Sequence, residues 1–261
     1  MKKRWITFDL DGTLMQNPFI SWVFPEIDQI VKDGTKFKKG IRDQLVLEHN
    51  RLMLEGSVVE AYDWDSIVKK TLLSKGLTAN IDVEKLVIKH STHPKVYLLE
   101  EGILDALKQL RENGYFLAAI TNGYSVYQLP VLEALQLSPL FDLVITPEKV
   151  GYGKPNIKMV EELMSHENRI IAHVGDRIDH DIVFANELDV LSILLYTDMP
   201  ELLREKDPVK RRESDQCLGY CEQKWRKETN SYNGTFTNQH VPKVVIHSIH
   251  ELYECLQQNN K

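Results

Sequence analysis

The chain predicts an α/β fold: a doubly wound parallel sheet covered on both faces, with a second, helical unit inserted early. Three observations carry this. Apolar runs of strand length stand at 5–8, 115–120, 143–145, 170–174, 190–195 and 244–247. Stretches with helical period fall between them, the alternation that builds parallel sheets. Between the first two runs lies a long segment, 14–99, patterned for helices. At 261 residues and 43% apolar content, the chain can bury one substantial core plus a smaller module.

The elements follow in order. Trp5-Ile6-Thr7-Phe8 reads as a short buried strand, and Gly12 closes the turn behind it. Helical patterning then runs through 44–47, 52–54, 67–73 and 83–88, punctuated by Gly56, Gly76 and Pro94. Residues 100–113 place Ile103, Leu104, Leu107 and Leu110 on one helical face, with Gly114 as a stop. Strands are expected at 115–120, 143–145, 170–174 and 190–195, with helices at 156–164 and near 182–188. A last strand and helix follow from 244.

Chemistry gathers at the strand ends. Asp9 and Asp11, two apart behind the first strand, project to one side and can meet one phosphoryl group and one hard cation together. A carboxylate is also a group that forms covalent phosphoryl intermediates. Alone, this pair would read as an acidic turn. Thr121-Asn122-Gly123 follows the second strand and offers a hydroxyl and an amide to phosphoryl oxygens, though a plain turn would be preferred in isolation. Lys154 precedes Pro155, and a lone lysine would be a solvated side chain. Asp176, Asp179 and Asp181 crowd carboxylates behind the 170–174 strand, and a hard cation such as Mg²⁺ would relieve their repulsion.

Four motifs in order, D-x-D-G-T at 9–13, T-N at 121–122, K-P at 154–155 and G-D-x4-D at 175–181, make the chain resemble the haloacid dehalogenase superfamily of phosphohydrolases. The resemblance covers roughly 1–16, 100–197 and 241–258. It implies a Rossmann-like core at 1–15 and 99–261 and an α-helical cap at 16–98 that closes over the site. It also implies roles. Asp9 would be the nucleophile, taking the phosphoryl group as an aspartyl-phosphate, and Asp11 the acid/base. Thr121 and the Asn122 backbone N–H would bind phosphoryl oxygens, and Lys154 would neutralise charge. Asp9, Asp176, Asp181 and the Asp11 carbonyl would hold Mg²⁺, with Asp181 acting directly or through water and Asp179 left outside. The dehalogenase branch lacks a carboxylate two residues after its nucleophile; Asp11 therefore favours phosphate-ester hydrolysis.

In the cap, Gln16 and Asn17 are expected near the pocket floor. Phe19, Trp22 and Phe24 suggest core packing before stacking on a substrate ring. Arg42, His49 and Arg51 could meet an anionic substrate, with an exposed helix face as the default for each. The excursion at 198–241, with eight acidic and eight basic residues, reads first as a solvated mixed-charge helix and second as an arm lining the cleft or binding a partner. Residues 230–235 are turn-rich.

Net charge of −6 argues against a nucleic-acid polymer as partner, and no apolar stretch approaches a membrane span. The basic start Met1-Lys2-Lys3-Arg4 leads into an apolar run broken at Asp9, which disfavours a secretory signal and fits a cytoplasmic setting. Cys217, Cys221 and Cys255 form no disulfide framework; zinc at Cys217, Cys221, His240 and His247 is disfavoured for want of a tight second ligand pair. The leading expectation is a Mg²⁺-dependent phosphatase of a small phosphorylated metabolite, of the nucleotide or sugar phosphate class. A phosphomutase and a non-catalytic binding module are the alternatives.

Overall fold

The computed structural model describes residues 2–164, 167–229 and 234–259. In chain order the strands are β1 (Lys3–Phe8), β2 (Met15–Gln16), β3 (Tyr97–Leu98), β4 (Tyr115–Ile120), β5 (Leu143–Ile145), β6 (Asn168–Gly175), β7 (Leu191–Leu195) and β8 (Val244–Ile246). Six of them form one all-parallel sheet in the order β5-β4-β1-β6-β7-β8. Both faces of such a sheet are covered, so its strands read as unbroken apolar runs rather than alternating ones. Ile6, Phe8, Leu117, Ala119 and Val174 are fully buried on that account. The chain winds outward from β1 through β4 to β5, then returns to β6 on the other side. A crevice at the carboxyl ends of the strands opens at this reversal.

The segment between β2 and β3 is helical: Phe24–Gly34, Arg42–Leu54, Val58–Ala61, Trp64–Ser74 and Val83–His90, after one wide turn at Phe19–Val23. Asp63 and Asp82 cap the last two long helices by accepting from Ser66 N (3.0 Å) and Lys85 N (2.9 Å). Gly56 and Gly76 lie just past helix ends, as their positions in the sequence imply. The Phe24–Gly34 helix was not legible beforehand; it buries Phe24, Ile27 and Val31. Phe19 and Phe24 pack on Trp64 in the core, whereas Trp22 stands apart, 40% exposed, against His90 with Lys95 over its ring.

Two expectations are corrected. The 156–164 helix is instead a pair of tight 3₁₀ turns, Ile157–Leu163, broken at Val160 (φ −114°, ψ 20°). The break lets Met159, Val160 and Leu163 all face the sheet. The 198–241 excursion is not merely a solvated helix. Its Asp215–Thr229 helix turns Cys217, Cys221 and Trp225 inward, at i, i+4 and i+8, onto Ile178, Ile182, Leu194 and Val245. Of its turn-rich stretch, residues 230–233 lie outside the described residues.

Arg211 ties the excursion to the core. It is fully buried, and its five N–H groups meet Leu203 O, Arg204 O, Val245 O and both oxygens of Glu251 at 2.6–2.9 Å. Removing one partner of a buried pair leaves the rest uncompensated, at about 3–5 kcal/mol. Arg211→Met should lose about that much stability in denaturant unfolding; a change under about 1 kcal/mol would show that these bonds merely decorate the fold.

Candidate active site

Asp9, Thr121 and Asp176 each sit directly behind a strand, whereas Lys154 lies in the loop beyond the Pro147–Val150 helix and Asp181 in the helical turn Ile178–Ile182. Asp9 follows β1, its N–H bonded to Val174 O (2.9 Å) on β6. The next residues form a tight turn in which Leu14 N and Met15 N both donate to Leu10 O. Gly12 takes φ +87°, and a Cβ there would stand 2.9 Å from Asp176 Oδ2, so any other residue would be strained in its backbone and would crowd the Asp176 carboxylate. Thr13 Oγ1 lies 3.1 Å from Asp9 Oδ2 and 3.2 Å from Asp176 Oδ1, bracing the pair.

Lys154 lies at the centre, 2% exposed, donating to Asp9 Oδ1 (2.5 Å) and Asp181 Oδ1 (2.6 Å). Asn122 holds its main chain from both sides, accepting from Lys154 N (2.7 Å) and donating to Lys154 O (3.2 Å). Burial works against the ammonium charge, but Asp181 and Asp9 outweigh it and raise the lysine pKa above its ordinary value. Burial likewise opposes the Asp181 charge, yet Lys154 and His173 hold that carboxyl well below the usual range. His173 Nε2 lies 3.2 Å from Asp181 Oδ1, and its Nδ1 lies 2.8 Å from Thr7 Oγ1. Burial lowers the pKa of this imidazole, against the pull of Asp181.

The charges do not balance as they stand. One oxygen each from Asp9, Asp176 and Asp181 lie within 4.8 Å of one another. Burial, with Asp9 and Asp181 beside it, pushes the Asp176 carboxyl up to about 8. Burial chiefly raises Asp9, to about 6, even with Lys154 bonded to it. Three carboxylates facing one lysine fit a hard, oxygen-seeking divalent cation, which would restore their charged forms.

Asp11 points elsewhere. Its Oδ2 accepts from Gln128 Nε2 (2.6 Å), while Oδ1 is buried and has no hydrogen-bond partner among the described residues, so its side chain is outside the carboxylate cluster. Burial raises its pKa, partly offset by the hydrogen bond from Gln128. A raised carboxyl pKa is the direction that general acid/base chemistry needs. Thr121 Oγ1 accepts from Gly123 N (3.1 Å), with Gln128 at 3.4 Å. Asp179 is drawn away to Arg177, which donates to both its oxygens (2.9 and 2.6 Å).

From the helical side, Val58 packs against Gly153 and Tyr127 Oη donates to Asp65 Oδ2 (2.9 Å). Tyr62 reaches Asn122, and burial pushes its phenol up to about 12 despite Arg177 nearby. His49, stacked on Trp64, has its pKa lowered by burial, with the Arg177 charge adding to that. Asn17 caps the following turn by accepting from Phe19 N (3.0 Å), and Gln16 lies in β2 and donates to Asn17 O (3.1 Å). Arg51 bonds its neighbours Glu48 and Glu55 on an exposed face, and Arg42 opens its helix with its N–H on Asp28 (3.0 Å). Thr13, Gln128, His173 and Tyr62 had no assigned role in the sequence. Only Thr13, inside a motif, and His173, a polar residue in an apolar strand, carried any signal.

His240 packs on Trp225 and Phe236, and His247 faces Glu251. A cavity of about 1240 Å³, lined by Arg4, Arg169 and Lys243 among others, opens at the other end of the strands, away from these carboxylates. Among the described residues, no helix is long and apolar enough to cross a membrane.

A family model of haloacid dehalogenase-like hydrolases matches residues 3–189. The chain is 26% identical over 213 residues to a glyceraldehyde 3-phosphate phosphatase of Methanocaldococcus jannaschii, covering 75% of this chain and 88% of that protein. It is 32% identical over 114 residues to the protein of the same name from Methanothermobacter thermautotrophicus, covering 42% of this chain and about half (49%) of that one. Among solved structures, a HAD phosphatase from Thermococcus onnurineus superposes with a TM-score of 0.66 at 21% identity, covering 98% of both chains. With its four motifs converging behind one parallel sheet, this chain belongs to the haloacid dehalogenase-like hydrolases.

Proposed function

We propose that this hydrolase of phosphomonoesters acts on a small sugar phosphate through an aspartyl-phosphate at Asp9. The convergence of Asp9, Asp11 and Lys154 in one buried site is the observation that carries the reading. Asp9 Oδ attacks phosphorus and the bond to the leaving oxygen breaks, while Asp11 donates the proton that oxygen needs. Asp11, then ionised, takes a proton from water as the water oxygen attacks phosphorus and releases Asp9. Lys154 offsets the charge on Asp9 and on the transferring group, and Thr121 Oγ1 with the Asn122 N–H holds its oxygens. Such transfer depends on positioning and charge stabilisation more than on covalent chemistry. A Mg²⁺ held by Asp9, Asp176, Asp181 and the Asp11 carbonyl would supply positive charge against the phosphoryl oxygens. The phosphatase names of the relatives favour water over a second sugar as acceptor, and two of them favour a three-carbon sugar phosphate.

A panel of phosphorylated metabolites, glyceraldehyde 3-phosphate included, tests this by phosphate release. EDTA should stop turnover and added Mg²⁺ should restore it. Undiminished release after rigorous chelation would overturn the metal assignment, and silence across the whole panel with Mg²⁺ present would overturn the enzyme reading.

A further inference from the structure

We propose that Glu228 is a positioning residue for the cation-binding loop, so that the 198–241 insertion is part of the phosphoryl site. The inference rests on the reading of Asp176 and Asp181 as cation-binding carboxylates.

The loop from Asp176 to Asp181 opens a helical turn, and the first N–H groups of a helix have no partner within it. Arg177 N finds one locally, donating to Asp181 Oδ2 (2.9 Å). The next two are met from fifty residues away: Ile178 N donates to Glu228 Oε2 at 2.8 Å, with Asp179 N at 3.4 Å. Ile178 is fully buried, so water does not substitute for that acceptor. The Glu228 carbonyl also accepts from Arg177 Nη2 (3.5 Å), and Arg177 in turn holds Asp179 out of the carboxylate cluster. Glu228 is itself held, its Oε1 lying 3.0 Å from Lys224 Nζ one turn back on the same helix. Lys224 is close enough to Asp176 for the two charges to act on each other. Trp225 and Cys221 seat that helix against Ile178 and Ile182, fixing its distance from the loop.

Groups that orient metal-binding side chains typically cost about 10–100-fold in metal affinity when removed. Mg²⁺ binding is therefore measured by calorimetry for Glu228→Ala, Glu228→Asp and Glu228→Gln, with the exposed Lys227→Ala on the same helix as control. Turnover of a generic aryl phosphate against Mg²⁺ concentration and the unfolding midpoint are recorded alongside. Glu228→Ala should bind Mg²⁺ about tenfold more weakly or worse, with most of kcat recovered at saturating Mg²⁺. Glu228→Gln keeps an acceptor oxygen and should stay close to wild type. Glu228→Asp, one methylene short, should fall between them, and it carries the test if the alanine variant does not fold. A merely structural role would lower the unfolding midpoint and leave Mg²⁺ affinity in the folded protein unchanged. Wild-type Mg²⁺ affinity in folded Glu228→Asp and Glu228→Ala would overturn the proposal. A wild-type protein that itself binds no Mg²⁺ would instead strike down the metal reading beneath it.

Discussion

Asp9→Asn should release no phosphate from any substrate while keeping a cooperative unfolding transition near that of the parent chain. The amide is isosteric, so packing behind β1 is undisturbed. It removes one of three crowded carboxylates, which relieves Asp176 and Asp181. Lys154 keeps its bond to Asp181 (2.6 Å), so the buried ammonium is not stranded. What disappears is the carboxylate oxygen proposed above to take the phosphoryl group. Asp11→Asn should fold equally well and slow turnover by about a hundredfold or more, the usual worth of a general acid/base. Parent-like turnover in Asp9→Asn, checked by phosphate release at matched protein concentration, would remove the covalent mechanism.

Lys154→Met should damage both folding and chemistry. Methionine fills the space but leaves Asp9 and Asp181 buried without the cation that bonds them at 2.5 and 2.6 Å. Breaking a buried pair in this way costs about 3–5 kcal/mol, to be measured by denaturant unfolding in EDTA. Mg²⁺ should return part of that stability, because a second cation can face the same carboxylates. It should not return activity, since losing one preorganised electrostatic group at a reacting centre slows turnover by about 10²–10³. A variant equally stable in EDTA would mean that Asp9 and Asp181 are protonated there, and the charge account given above would fail.

Much of this was legible because the chemistry rides on strand ends. An apolar run followed by an acidic or amide-bearing turn is local information, and it located Asp9, Thr121 and Asp176 by inspection. Lys154 was legible only through resemblance: nothing near residue 154 shows that its ammonium is buried between two carboxylates, each more than twenty residues away. Gln128 was not legible, since a glutamine in a helix looks the same whether it faces solvent or Asp11. Glu228 was least legible. It lies in a mixed-charge helix whose composition suggests solvent, and the stripe Cys217, Cys221, Trp225 that turns this helix inward is short. Helix identity at 157–163 failed for another reason: packing three neighbouring side chains on one sheet outweighed the local preference.

The two short strands β2 and β3 lie side by side and antiparallel, Met15 opposite Leu98 and Gln16 opposite Tyr97. The polypeptide thus leaves the catalytic layer and comes back to it through a single narrow doorway. A segment tethered at adjacent ends places no demand on the spacing of the strands it interrupts. Asp9, one short turn before the doorway, can stay in register with its partners whatever the length of that segment. Changes of side chain on the far side of the doorway therefore need not disturb the geometry on the near side.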